Sequence, residues 1–219
     1  MKQRFLSVCG IIAPALFLFT IILGGALRPG YSHISDTISE LFSPGSPNKL
    51  LLDTLHTTYA FLLILFGIGV LQTVRRRGQS QRIGVIGASL FIAVGVISAL
   101  TATVFPQDAW GSPATFRGEM HKVLHGVISL LGILYLILLG IWFDREGGLP
   151  GFRTYSLITV GVVGLAAAFF MLSMGGPAMG LAERAAMLAG FQWTFVLSLE
   201  LTRGEKNNQG CKTSWEMLT

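Results

Sequence analysis

The residues most able to do chemistry are two histidines one helical turn apart. They lie in the stretch Arg117–Gly126, Arg-Gly-Glu-Met-His-Lys-Val-Leu-His-Gly, which leads into a long apolar segment. The i, i+4 spacing of His121 and His125 puts both imidazoles on one helix face. A third histidine, His56, follows Asp53 by three residues on another apolar segment. It lies about one and a half turns below Leu50, the same depth as His125 below Glu119. Three imidazoles with a fourth position open form the ligand pattern of catalytic zinc, whose bound water has a pKa of about 7. Asp53, Asp108 and Glu183 are the carboxylates expected to supply a fourth ligand or a general base.

Other chemistries compete for the same residues. His56 facing His121 or His125 would also suit the two axial ligands of a single haem, although zinc is the better match if a cofactor binds at all. A non-catalytic reading makes the protein a scaffold, lipid-binding or transport component. In that case Ser39, Glu40, Glu183, Arg184 and Trp193 form a network of caps, ion pairs and buried hydrogen bonds. Transport is the weakest alternative, because no ionisable residue near mid-membrane and no inverted repeat marks a pathway.

What must position these groups is a set of membrane helices. Of 219 residues 52% are hydrophobic and 12% charged, against about 25% charged in soluble domains. Six apolar segments, about 5–27, 50–73, 83–105, 119–143, 154–174 and 181–202, each reach the roughly 20 residues a spanning helix needs. Continuous apolar runs exclude barrels, whose strands alternate. The expected fold is therefore all-α, an integral membrane bundle of six transmembrane helices over residues 1–202, with a polar cytoplasmic tail at 203–219. Pro14 should kink the first span. Gly84, Gly87, Gly95, Gly132, Gly140, Gly161 and Gly164 should let neighbouring helices approach closely.

Orientation follows from the basic residues. Lys2, Arg4, Arg75, Arg76, Arg77, Arg82, Arg145, Arg153, Arg203, Lys206 and Lys212 fall on one side. Arg28, Lys49, Arg117, Lys122 and Arg184 fall on the other. The positive-inside rule then places both termini in the cytoplasm and all four histidines on the outer side of the plasma membrane. The net charge of +5 is spread over short loops, with no basic face interleaved with aromatics, so nucleic acid is not an expected partner. Membrane lipids are, and a homo-oligomer is a further expectation. Cys9 and Cys211 have no metal-ligand spacing and read as inert thiols.

The first outer loop, Arg28–Lys49, carries its own signals. Thr37-Ile-Ser-Glu40 matches a capping box, predicting a short interfacial helix over about 37–43 with Ile38, Leu41 and Phe42 facing the bundle. Ser46 and Pro47 read as the N-cap and first residue of the second span. Glu183 and Arg184 should enter the membrane as a pair or with partners from the outer loops, and Gln192 and Trp193 should find buried partners.

These pieces in order are Pro29-Gly-Tyr31-Ser32, Ile38-Ser39-Glu40-Leu41, Phe105-Pro-Gln-Asp108, Gly118 through His121 and His125, and Gly180-Leu-Ala-Glu183-Arg184 with Trp193. Together they resemble the domain-of-unknown-function 998 family of bacterial and archaeal multi-spanning membrane proteins. The resemblance runs from the first span to the sixth and implies a six-helix membrane domain; it implies no activity.

Overall fold

The computed structural model describes residues 2–77 and 81–216, with side chains over 3–77 and 81–204. Six helices run in sequence: α1 (Lys2–Leu27), α2 (Lys49–Arg77), α3 (Arg82–Thr103), α4 (Phe116–Arg145), α5 (Phe152–Leu172) and α6 (Met179–Glu216). All six are long and apolar enough to cross a membrane, and no strand occurs among the described residues. A helix is the form in which such a segment satisfies its own backbone in lipid. The spans expected from sequence lie within a few residues of these elements. The backbone stays helical past Arg203, so the described part of the expected tail extends α6, and its side chains beyond residue 204 lie outside the described residues.

Each helix packs on its neighbours in sequence, and α6 closes back onto α1, giving a ring of six. An even number of helices returns the chain to the end where it began. We call that the terminal end, and the opposite one, which carries the Arg28–Asn48 connection, the strap end. The terminal half is tightly filled: Phe66, Val70, Leu139, Trp142, Phe143 and Leu197 are fully or almost fully buried. Glycine makes this closeness possible at several crossings. A methyl group on Gly84 would stand 2.8 Å from the Trp142 ring, on Gly87 2.9 Å from Leu139, and on Gly140 2.5 Å from Ser156. Gly132, Gly161 and Gly164 do not serve that purpose. Gly161 and Gly164 have no neighbour within 4 Å of such a methyl group, and Gly132 has only Tyr135 at 4.0 Å.

The strap differs from its expected form. In place of a helix over 37–43 there is one 3-10 turn, Ser39–Phe42, with no side-chain cap at Ile38 and all four residues buried. With every side chain turned inward, the turn has no polar face. The second span starts at Lys49, not at Ser46-Pro47. The chain first passes through Gly45 and Asn48 at φ 82° and 58°, left-handed conformations that glycine and asparagine tolerate best.

Candidate functional site

Three elements hold the strap down. At the start of α6, Glu183 Oε2 accepts the main-chain N–H of Ile38 at 2.6 Å. Arg184 donates through Nη1 to the carbonyls of Asp36 and Gly180, both at 2.9 Å, and through Nη2 to the Tyr31 hydroxyl at 2.5 Å. Its Nη2 also lies 3.2 Å from His33 Nδ1. The expectation that these two charges enter the membrane with loop partners is met in this form, with the partners mainly backbone carbonyls and one N–H. From the end of α1, Arg28 donates to the Glu40 carbonyl at 2.6 Å and stands 3.8 Å from its carboxylate. Tyr31 completes the clasp by donating to the Thr37 carbonyl at 2.9 Å.

Burial sets the electrostatics of this strap. Desolvation pushes the Tyr31 phenol up to about 12, against the pull of Arg184 beside it. Glu40 is raised, first by burial and then by Asp36, with Arg28 opposing. His33 is lowered by burial and by Arg184. The strap is thus organised to keep its phenol and its imidazole uncharged around one guanidinium.

The third anchor is His121. Its Nδ1 lies 2.8 Å from the Phe105 carbonyl on the α3–α4 connection, and its Nε2 lies 3.2 Å from Ser39 Oγ on the strap. Asp108, on the same connection, accepts from the N–H and hydroxyl of Thr115, whose own Oγ1 caps Gly118 at the start of α4. The Thr115 N–H holds the Asp108 carboxyl below its ordinary range. Asp108, expected as a metal ligand or base, is engaged as a helix-capping group. Asp53 likewise bonds Lys49 at 2.6 Å one turn back on its own helix.

His56 sits deeper, ringed edge-on by Phe17, Phe42 and Tyr59 at centroid distances of 5.1, 5.2 and 5.5 Å. Its Nε2 meets Ser98 Oγ at 3.2 Å, and its buried Nδ1 has no partner. His125 lies one turn below His121 with ring centroids 4.4 Å apart, within electrostatic reach of His56. Even so, no group of three His, Cys, Asp or Glu side chains among the described residues is arranged to hold a metal ion. The physical reason is that the ligands are spent elsewhere. Both nitrogens of His121 face protein groups, one nitrogen of His56 faces Ser98, and the three carboxylates bond Lys49, Thr115 and Ile38. The same engagement of His56 and His121 works against axial haem ligation.

Below His121 the core-facing stripe of α4 is interrupted. Going down the core-facing stripe of α4, Gly118 and His121 are buried, and so are Leu136 and Leu139 further on. Between them His125 and Ser129 lie on the same side of the helix by the 100° advance per residue, yet both are exposed. Across on α6, Ala182, Ala189 and Trp193 are buried. Gly190, on that same face, has nothing within 4 Å of where a Cβ would stand. Tyr135 and Trp193 meet with ring centroids 5.7 Å apart. The Trp193 indole N–H donates to Ser156 Oγ at 2.8 Å. Gln192 bonds the Tyr155 hydroxyl and Thr159. Trp193 thus has the buried partner expected of it, whereas Gln192 is paired but exposed. Along α5, Ala166 is the only buried residue of 160–172, so that stretch packs little on its neighbours.

Sequence reasoning did not single out Arg28, Ser98, Ser156 or the contact of Ser39 with His121. Each is a polar residue at a loop or helix edge, and its partner lies tens of residues away, where no spacing rule reaches. A family model described as "Protein of unknown function (DUF998)" matches residues 11–200. No curated protein and no solved structure matches the chain.

Proposed function

The chain belongs to the DUF998 family, and we propose that a strap-end hollow beside His125 binds the polar headgroup of a membrane amphiphile that enters sideways from the lipid. One observation carries this reading. His125 occupies the core-facing side of α4 but is exposed, and among the described residues its imidazole makes no hydrogen bond, meeting only the His121 ring. An ionisable side chain at membrane depth without a hydrogen-bond partner is a group left available for a ligand. Gly190 and the sparsely packed flank of α5 leave the space, and Ser129 adds a hydroxyl to its wall. By the distribution of Lys and Arg the hollow opens toward the outer leaflet of the plasma membrane, with both termini cytoplasmic.

Native mass spectrometry of the protein released from micelles carrying a series of headgroups tests this. A retained amphiphile is expected, and Gly190→Leu, which fills the hollow, should remove it without lowering thermal stability. An adduct equally abundant in Gly190→Leu and in the parent protein would place the amphiphile elsewhere on the surface and overturn the reading.

A further inference from the structure

We propose that Ser39 and His121 are a nucleophile and its base, acting on an ester or amide bond of the amphiphile; this rests on the hollow being its binding site. The geometry begins with the tautomer. The Phe105 carbonyl can only accept, so its 2.8 Å contact with Nδ1 requires the proton to sit on that nitrogen. In the neutral ring Nε2 is then an acceptor, and the group placed to donate to it, at 3.2 Å, is the Ser39 hydroxyl. A hydroxyl donating to an imidazole whose other nitrogen is held by a third group is the arrangement that activates serine toward acyl carbon.

Both members are fixed. Ser39 is 8% exposed and His121 7%. Ser39 follows Ile38, whose N–H is locked to Glu183, while His121 is held from the other side by the α3–α4 connection. Such support from rigid neighbours keeps a catalytic pair in register. His125 stacks on His121 one turn deeper, which sets the pair at the roof of the hollow.

The step balances without a cofactor. Ser39 Oγ bonds to the acyl carbon as its proton passes to His121 Nε2. The carbon–oxygen or carbon–nitrogen bond then breaks, and His121 returns the proton to the departing alcohol or amine. Water, deprotonated by His121, releases the acyl group and restores the hydroxyl. Glu183, whose carboxylate accepts a hydrogen bond from the Ser39 side chain, is the competing acceptor that the test must separate from His121.

The test is labelling of the full-length protein in micelles with a long-chain alkyl fluorophosphonate, read by peptide mass spectrometry. Ser39 Oγ should bond to phosphorus with loss of fluoride. Ser39→Ala should abolish the adduct, and His121→Gln should slow it by about a hundredfold or more, the usual contribution of a general base. Glu183→Gln keeps an acceptor for the Ile38 N–H and should still label. No adduct on Ser39, an adduct indifferent to His121→Gln, or loss with Glu183→Gln alone would each overturn the pair.

In case His121→Gln perturbs the fold, a second readout uses Ser39→Cys in a background carrying Cys9→Ala and Cys211→Ser. Alkylation of the introduced thiol should titrate below the ordinary thiol pKa of about 8.5, as thiols beside histidine do. An ordinary midpoint there would also overturn the proposal. Labelling of Ser39 with no amphiphile retained would sink the hollow and spare the pair, whereas a retained amphiphile with Ser39 inert would do the reverse.

Discussion

Arg184 reaches from the last helix to the carbonyl of Asp36, 148 residues earlier, at 2.9 Å. This one side chain joins segments far apart in the chain at the strap end. It bonds Tyr31, Asp36 and Gly180 and approaches His33, so its removal strips several partners at once. Arg184→Ala should cost about 3 kcal/mol or more, since hydrogen bonds to charged groups contribute about 1.5–3 kcal/mol each. Arg203, paired with Glu200 on an exposed surface, should cost less than about 1 kcal/mol. Thermal melts of both variants in the same detergent decide the matter, and equal midpoints would show that Arg184 is solvated.

Two glycines at the strap end should be intolerant for a steric reason. A methyl group on Gly180 would collide with the Asp36 carbonyl, and one on Gly118 with the Asp108 carboxylate. Gly180→Ala and Gly118→Ala should therefore each lower thermal stability, whereas Gly126→Ala and Gly161→Ala, with open space at that position, should not. A helical Gly→Ala change otherwise gains about 1 kcal/mol, so the two pairs should move in opposite directions.

The cap on α4 should respond to acid. Asp108 is depressed by the Thr115 N–H. A depressed carboxyl stabilises the fold above its unfolded pKa, and that contribution is lost as pH falls through the folded one. The protection of the Gly118 and Glu119 amides, relative to their intrinsic exchange at each pH, should fall on acidification, and Asp108→Asn should flatten the dependence. A pH-independent rate ratio between the two proteins would contradict the capping role.

Tyr31 gives the mirrored prediction at high pH. Its phenol is pushed up to about 12, above the unfolded value of about 10. A raised pKa stabilises fully below the unfolded value and is lost as pH rises through the folded one. Absorbance titration of tyrosinate should show a late component that is smaller by one tyrosine in Tyr31→Phe, and strap loosening should follow it. Tyrosines titrating together near 10 would contradict the buried clasp.

Sidedness is tested by thiols. In a Cys9→Ala, Cys211→Ser background, a cysteine at Ser112 should react with an impermeant reagent in intact cells, and one at Gln81 only after the membrane is opened. The reverse pattern would turn the hollow toward the cytoplasm.

The helices were legible because their signal is local: a spanning helix needs only its own run of apolar residues, and all six are found within a few residues of where the runs lie. Trp193 and Gln192 were legible for a related reason, since an indole N–H or amide at depth must be paired. The histidines show where such reasoning stops. Spacing put His121 and His125 on one face and His56 at the same depth, and it could say nothing of what stands between them. Phe17 and Phe42, from α1 and the strap, wrap His56, while a carbonyl near the end of α3 takes Nδ1 of His121. The capping box was half legible: the Glu40 carboxylate does reach back to Thr37, but no side chain caps the turn, and burial of Ser39–Phe42 outweighed the preference for a solvated helix.

The α4–α5 crossing has a mechanical consequence. Gly140 admits Ser156 closely, and Phe143 stacks against Phe152 with centroids 6.0 Å apart; both contacts lie in the terminal half. Toward the strap end α5 buries only Ala166. The helix is a cantilever, clamped at its root and leaning on one neighbour along its free length. Held this way, the strap-end length of α5 takes its position from the bilayer beside it more than from the charged residues of the strap.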